Sequence, residues 1–248
     1  MKVYAGFFKK ALAEQPGDAV VVVDVLRFST TVATALHIGI REVIVREDLC
    51  DALEVAQRLE APLIAEVDGF KPGEANLDNS PTEVILLLSR RPPEKVVIRS
   101  TAGASILAEA VKRKCKEIIV GGLVNAAAIA RYLSSIKPQS VSIVMAGFRG
   151  EMFAVEDLLG AGAIVAELLK MAPNSDGAQL LTDEALVAYE LYMANRQHLV
   201  ELVSRSRSGR LLIETGRIKD VEFCSKVNTI DVVPKVKNYE EVVLTKHQ

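Results

Sequence analysis

Val20–Thr31 reads VVVVDVLRFSTT. Four valines closed by Asp24 have the all-apolar, β-branched character of a strand covered on both faces. After Leu26 the rhythm changes, and Val32–Ile40 (VATALHIGI) places apolar residues at helical spacing. Strand, polar turn and helix in that order are the unit of an open parallel sheet, in which ligands bind outside the carboxyl ends of the strands. Asp24, Arg27, Ser29, Thr30 and Thr31 are therefore delivered to the usual place for chemistry. Taken alone, Asp24 reads equally well as a cap for the turn, and Arg27 as the partner of a surface acid. A carboxylate, a guanidinium and a hydroxyl run side by side favour a site.

The same plan recurs at VVIRST (Val96–Thr101), EIIVGG (Glu117–Gly122) and SIVMAG (Ser142–Gly147), each followed by a helical pattern. This alternation predicts an α/β fold, a mostly parallel sheet with helices on both faces. MKVYAGF, REVIVRE and PLIAEVDGF read as further strands, and DLCDALEVAQRLE as an amphipathic helix. Ser80-Pro81-Thr82-Glu83 has the form of a capping box with proline at the first helical position, and Pro92-Pro93 stops the helix it opens. FAVEDLLGAGAIVAELLK predicts a long helix from Phe153. The chain reads as one domain, 1–248, with a single candidate seam at 172–177 (APNSDG). Beyond it, Leu181–Ser206 predicts one long helix capped by Thr182. LLIETG and IKDVEFCSKV predict more helix, and TIDVVPKV a last short strand. This helical C-terminal segment is expected to pack on the sheet, because its broad apolar faces need covering.

Composition narrows the function. A formal net charge of -2 gives no field that would draw nucleic acid or a membrane surface, and the absence of tryptophan argues against a base-stacking platform. No secretory pattern precedes Met1–Phe8, and no apolar run is long enough to span a bilayer, so a cytoplasmic protein is expected. Cys50, Cys115 and Cys224 are too scattered for a disulfide framework or zinc knuckle. His37, expected mid-helix, His198 and His247 lack ligand spacing. There is no G-x-x-x-x-G-K-[ST], G-x-G-x-x-G after a strand, or G-x-S-x-G. An apolar strand ending in Asp is shared with phosphatases of the haloacid dehalogenase type, but position 26 is Leu where those carry a second Asp.

The strand-end loops collect a coherent set. The first holds Asp24, Arg27, Ser29 and Thr30; the second Ser100, Thr101 and Gly103; the third Gly121, Gly122 and Asn125. The fourth holds Gly147, Arg149 and Gly150, with Glu156 and Asp157 one helical turn on. Arginines and glycine-rich helix starts favour anions. Acids among them call for a divalent cation, and Mg²⁺ is commonly held by one or two carboxylates plus substrate phosphate. The residues thus point to a Mg²⁺-assisted site for a small phosphorylated acid. Glu156 and Asp157 also suit a helix start electrostatically, and adjacent helical residues point about 100° apart, so either one has a structural alternative.

The ordered motifs resemble one family. D-V-L-R at Asp24 followed by hydroxyls, Asn79-Ser80-Pro81 after an acidic loop, AGFRGEMFAVED (Ala146–Asp157), Ser206-Arg207-Ser208-Gly209, Phe223-Cys224 and Asp231-Val232-Val233-Pro234 resemble the 2-phosphosulfolactate phosphatases over most of the chain. The resemblance implies a three-layer α/β/α fold and Mg²⁺-dependent hydrolysis of 2-phospho-3-sulfolactate, a step toward coenzyme M. Residues carried over by it are Asp24, Arg27, Asn79, Ser80, Gly147, Gly150, Phe153, Glu156, Asp157, Ser206 and Gly209. The chain departs from the family pattern at Ala102 and Ala104, where T-N-G-T is usual. It departs again at Lys226-Val227-Asn228, where an Asp is usual, and at Ser208, where His is frequent.

These readings give Asp24, Glu156 and Asp157 as metal ligands, and Asp24, Arg27 and Asp157 as catalytic residues. Arg27, Ser29 and Thr30 are expected to hold phosphate and Arg149 the carboxylate or sulfonate. Asn79, Ser80, Ser100, Thr101, Gly103, Gly150 and Ser206 complete the substrate-binding set, with capping the stronger reading for Ser80. Attack by water and attack by Asp24 itself both remain open. So do a related activity on another phosphoester and a non-catalytic anion-binding role. Apolar positions on the late helices suit either a homodimer or the core.

Overall fold

The structure, a computed structural model, describes residues 1–171 and 180–247; the expected seam at 172–177 lies outside them. Among the described residues nine strands form one sheet. They are β1 (Lys2–Phe7), β2 (Ala19–Val23), β3 (Glu42–Arg46), β4 (Leu63–Ala65), β5 (Lys95–Arg99), β6 (Glu117–Gly121), β7 (Ser140–Met145), β8 (Pro234–Asn238) and β9 (Val243–Lys246).

Every residue of β2 is buried, because its two faces meet different helices. Val21 and Val23 join a core with the helices Ala126–Ile136, Val155–Met171 and Asp183–Asn195. Val20 and Val22 join a second core with Phe28–His37 and Gly103–Lys112. Side chains alternate across a strand, so an unbroken valine run is what double burial requires. Each such valine contributes on the order of 1.5–3 kcal/mol, which makes β2 a firm base for the turn that follows it. The three-layer α/β/α architecture is the one expected.

The strand order is β1-β7-β2-β6-β8-β9-β3-β5-β4. β1, β7, β2 and β6 pair in parallel, as do β3, β5 and β4. An antiparallel hairpin, β8–β9, sits between these groups, and each of its strands is antiparallel to its outer neighbour. Three successive reversals leave the two parallel groups running in opposite senses. Their carboxyl ends nevertheless meet at one cavity, lined by the loops after β2 and β7 from one group and after β4 and β5 from the other.

The tail differs in part from expectation. Its helices pack into the first core, as expected, but it ends in two strands, not one, and both are part of the sheet. Leu181–Ser206 is two helices, Asp183–Asn195 and Leu199–Ser204. Asn195 Nδ2 turns back to the Leu191 carbonyl at 2.8 Å, and the second helix turns Leu199 and Val203 into the first core. Thr182 does cap the first helix, its side chain accepting from Ala185 N. The next helical stretch divides at Gly216, whose φ of +78° suits glycine, into Arg207–Glu214 and Ile218–Cys224. A helix not anticipated, Phe8–Glu14, follows β1; the long helix starts at Val155; and His37 is the last residue of its helix, not a middle one. The box at Ser80 is half formed. Ser80 Oγ accepts from Glu83 N at 3.1 Å, but the Glu83 carboxylate takes Asp78 N at 3.2 Å instead of Ser80 N.

Candidate active site

Asp24 leaves β2 at the floor of the cavity, which holds about 570 Å³ of empty space, part of it open to solvent. Its Oδ2 accepts from Gly103 N at 2.9 Å and its Oδ1, more weakly, from Phe28 N at 3.4 Å. A Cβ on Gly103 would stand 2.7 Å from that same Oδ2 and closer still to the Phe28 ring, so only glycine allows this approach. Asp157 lies beside it. Its Oδ1 accepts from Val25 N and its Oδ2 from Gly147 N, both at 2.8 Å, which ties the β2 turn to the β7 turn. Glu156 also lines the cavity, and its buried Oε2 has no hydrogen-bond partner. Both acids of the helix start therefore face the site.

Charge crowds this floor. Burial, then repulsion from Glu66, raises the Asp24 carboxyl from its ordinary value to about 7, despite the Phe28 and Gly103 N–H groups that favour its anion. Burial and the neighbouring Asp24 and Glu156 push Asp157 well up. Burial pushes Glu156 up too, partly offset by the hydroxyls of Ser208 and Ser206. Asn79 Oδ1, buried in the cavity wall, is a second acceptor without a donor.

Arg27 is buried against two carboxylates. Nη1 donates to Asp78 Oδ2 at 2.8 Å and Asp220 Oδ2 at 2.9 Å, and Nη2 to Asp78 Oδ1 at 3.1 Å. Arg217 joins Asp78 Oδ2 at 2.8 Å. Asp220 Oδ1 also accepts from Ser80 Oγ at 2.7 Å and Thr82 Oγ1 at 2.5 Å. Three of its five guanidinium N–H donors are thus taken by these acids, and Arg27 also lines the cavity.

Glu66, at the end of β4, builds the opposite wall. Its Oε1 accepts from Thr101 N at 2.6 Å and its Oε2 from Gly69 N at 2.7 Å, which joins the β4 and β5 loops. At the mouth stand Asp68 and Arg149, 3.7 Å apart and both about half exposed.

Several expected ligands are placed otherwise. Ser29 Oγ donates to the Val22 carbonyl and accepts from Asp24 N, while Thr30 Oγ1 donates to the Val25 carbonyl. Both hydroxyls are spent on the turn and fully buried, so they do not hold a phosphate. Ser80 is committed to its cap and to Asp220. Ser206 caps the helix Arg207–Glu214 through Gly209 N at 3.0 Å and touches the site only beside Glu156. Gly103 serves through its N–H on Asp24, and Gly150 through a left-handed turn, φ +76°. Asp24, Arg27, Asn79, Ser100, Thr101, Arg149, Glu156 and Asp157 do line the cavity. Glu66, Asp78 and Asp220 were not anticipated. Glu66 carries the same sign as Asp24, an acid closing an apolar strand, but after only three strand residues.

Asp24, Glu156 and Asp157 share the cavity without forming a closed cage: among the described residues, no three His, Cys, Asp or Glu side chains are grouped to hold an ion by themselves.

Comparison with known proteins decides the family. A family model described as 2-phosphosulpholactate phosphatase matches residues 8–239. The chain belongs to the 2-phosphosulfolactate phosphatase family. A protein of Carboxydothermus hydrogenoformans named probable 2-phosphosulfolactate phosphatase is 34% identical over 236 residues, covering 95% of this chain and 93% of its own. One so named from Caldanaerobacter subterraneus subsp. tengcongensis is 33% identical over 228 residues, 88% of each chain. A third, from Thermosynechococcus vestitus, is 29% identical over 242 residues, 94% of this chain and 96% of its own.

The fold sorts the chain's departures from the 2-phosphosulfolactate phosphatase pattern. Ala102 and Ser208 line the cavity. Asn228 does not: its Oδ1 accepts from Ala127 N at 2.8 Å and its Nδ2 donates to Glu167 Oε1 at 2.9 Å, so it ties the tail to two helices. Ala104 is buried in the second core. Among the described residues no helix is long and apolar enough to cross a membrane.

Proposed function

We propose that this chain is a Mg²⁺-dependent phosphoric monoester hydrolase that converts 2-phosphosulfolactate, or a related small 2-phospho acid, to the hydroxy acid and phosphate. The observation that carries the reading is the buried, unpartnered Glu156 Oε2 beside Asp24 and Asp157. Buried carboxylates without a counter-charge are costly, and their raised pKa values express that cost. A hard divalent cation relieves it, and Mg²⁺ needs only one or two carboxylates when waters and phosphate complete its shell. The donor set therefore fits the ion without a preformed cage.

Asp24, Asp157 and Glu156 are the residues that would hold it. When bound, Mg²⁺ neutralises phosphoryl charge and lowers the pKa of bound water. The backbone N–H groups of Gly103, Val25 and Gly147 fix the two aspartates, so their oxygens need little reorganisation, which is what phosphoryl transfer asks of a protein. Arg27, locked by Asp78 and Asp220, presents its remaining donors to the phosphate, and Ser100 and Asn79 flank it. Arg149 takes an acid group at the outer end. Asp24 acts as ligand and not nucleophile; trapping a phosphorylated Asp24 overturns that assignment.

Phosphate release from 2-phosphosulfolactate and from an aryl phosphate tests the reading. Chelator-sensitive release, well above the aryl ester, is expected. Release that persists in chelator removes the metal from the proposal, and none from either ester in folded protein removes the phosphatase. A second readout needs no turnover. Protons compete with Mg²⁺ for a carboxyl that titrates near 7, so saturating Mg²⁺ should raise Tm more at pH 8 than at pH 6. At about 100 Kd the stabilisation is about 2.7 kcal/mol. An equal shift at both pH values contradicts Asp24 as a ligand.

A further inference from the structure

We propose that Arg207, set with Arg149 on the ring of Phe148 at the cavity mouth, forms the subsite that reads the substrate's non-phosphoryl acid groups, and that Asp68 occupies this subsite until substrate displaces it. The inference rests on the phosphatase reading for the identity of the substrate and goes beyond it by assigning Arg207, Phe148 and Asp68.

The two guanidinium carbons lie 5.3 Å (Arg149) and 5.5 Å (Arg207) from the Phe148 ring centroid, within cation–π range. One ring thus orders two like charges that would otherwise repel each other apart. Their compensation is thin. Among the described residues, the only ion pair of Arg149 is the one with Asp68, at 3.7 Å, and Arg207 has none. A 3.7 Å separation is too long for a hydrogen bond, and with both side chains half exposed such a pair is weak and exchangeable.

The ring itself is well placed. Phe148 N donates to the Met152 carbonyl at 2.8 Å and Met152 N to the Phe148 carbonyl at 3.1 Å. Gly147, just before, is held by Asp157 at the floor. Arg207 opens the helix Arg207–Glu214 next to Ser208, which lines the cavity. The cavity is therefore polarised, with the acids at the bottom and, at the top, Arg149 paired with Asp68 alone and Arg207, whose Nη1 donates to Met152 Sδ at 2.5 Å, across the same ring. A ligand with phosphate at one end and carboxylate and sulfonate at the other matches both. A plain phosphate ester matches only the floor.

Calorimetric titration with 3-sulfolactate, with inorganic phosphate as the second probe, tests this on wild type, Arg207→Gln and Asp68→Asn. Losing one charge-assisted contact should weaken 3-sulfolactate by about ten-fold in Arg207→Gln, several times more than it weakens phosphate. Asp68→Asn, which removes the internal competitor, should tighten 3-sulfolactate. In turnover of 2-phosphosulfolactate, both changes should appear in KM rather than kcat. Equal weakening of the two probes in Arg207→Gln, no weakening of 3-sulfolactate, or no measurable 3-sulfolactate binding to wild type each overturns the subsite. If no ester releases phosphate but 3-sulfolactate binding keeps its dependence on Arg207, the phosphatase reading falls and the subsite stands.

Discussion

Asp24→Asn is expected to abolish phosphate release, by about a thousand-fold or more, while raising the melting temperature of the metal-free protein. The two effects have one cause. Asn keeps the shape of the side chain and still accepts from Gly103 N, but it removes a charge from a floor shared with Glu66, Glu156 and Asp157. The bond it loses is the longer one, from Phe28 N at 3.4 Å, and a neutral hydrogen bond is worth about 1 kcal/mol. Against that stands a carboxyl raised from an ordinary aspartate value to about 7, a gap worth on the order of a few kcal/mol. The sign follows from linkage. Folding favours the protonated form of Asp24, so its contribution is full at acid pH and is lost as pH rises through about 7. The stability difference between the Asn variant and wild type should therefore grow between about pH 4 and pH 7 and level off above. Thermal melts in chelator across that range check it. Near-wild-type turnover removes Asp24 from the chemistry. A variant that becomes relatively less stable with rising pH contradicts the crowded floor.

The second large effect is on folding. Arg27→Ala leaves Asp78 and Asp220 both buried, with Arg217, about 30% exposed, as the remaining cation on Asp78. Removing one partner of a buried ion pair costs about 3–5 kcal/mol, which for a chain of this length lowers Tm by roughly 10 °C. Lysine at this position should recover part of the loss, since it restores the charge without the two-point fork on Asp78. Melting within about 2 °C of wild type for the alanine variant would mean that solvent or Arg217 already neutralises the acids.

The reach of the sequence can be judged at particular residues. The valines of β2 announce their strand because a doubly covered strand has no polar side to interrupt it, and Asp24 stands out as the break in that run. Glu156 and Asp157 are visible because two acids open an otherwise apolar helix. Ser29 and Thr30 mislead because a hydroxyl that holds phosphate and one that closes a turn are the same residue type. Their partners, the carbonyls of Val22 and Val25, are local and leave no separate mark. Glu66 hides behind a strand of three residues. Asp78 and Asp220 are unreadable for a different reason: they lie 51 and 193 positions from Arg27, and no periodicity links residues so distant. The inserted hairpin fails the same way, since strand pairing is decided by partners far along the chain.

That hairpin also has a temporal side. β8 and β9 follow the other seven strands in chain order, yet they are the pieces that bridge β6 to β3. In a chain that folds from its N-terminus as it is made, strand pairing between the two parallel groups waits for both, although the helices Phe28–His37 and Gly103–Lys112 already pack on strands of each. Through that interval β6 and β3 are open edges whose central residues, Ile118-Ile119-Val120 and Val43-Ile44-Val45, are apolar and β-branched. Edges of that kind pair readily with other chains. The walls of the cavity come from opposite halves, so the completed site dates from the arrival of the tail.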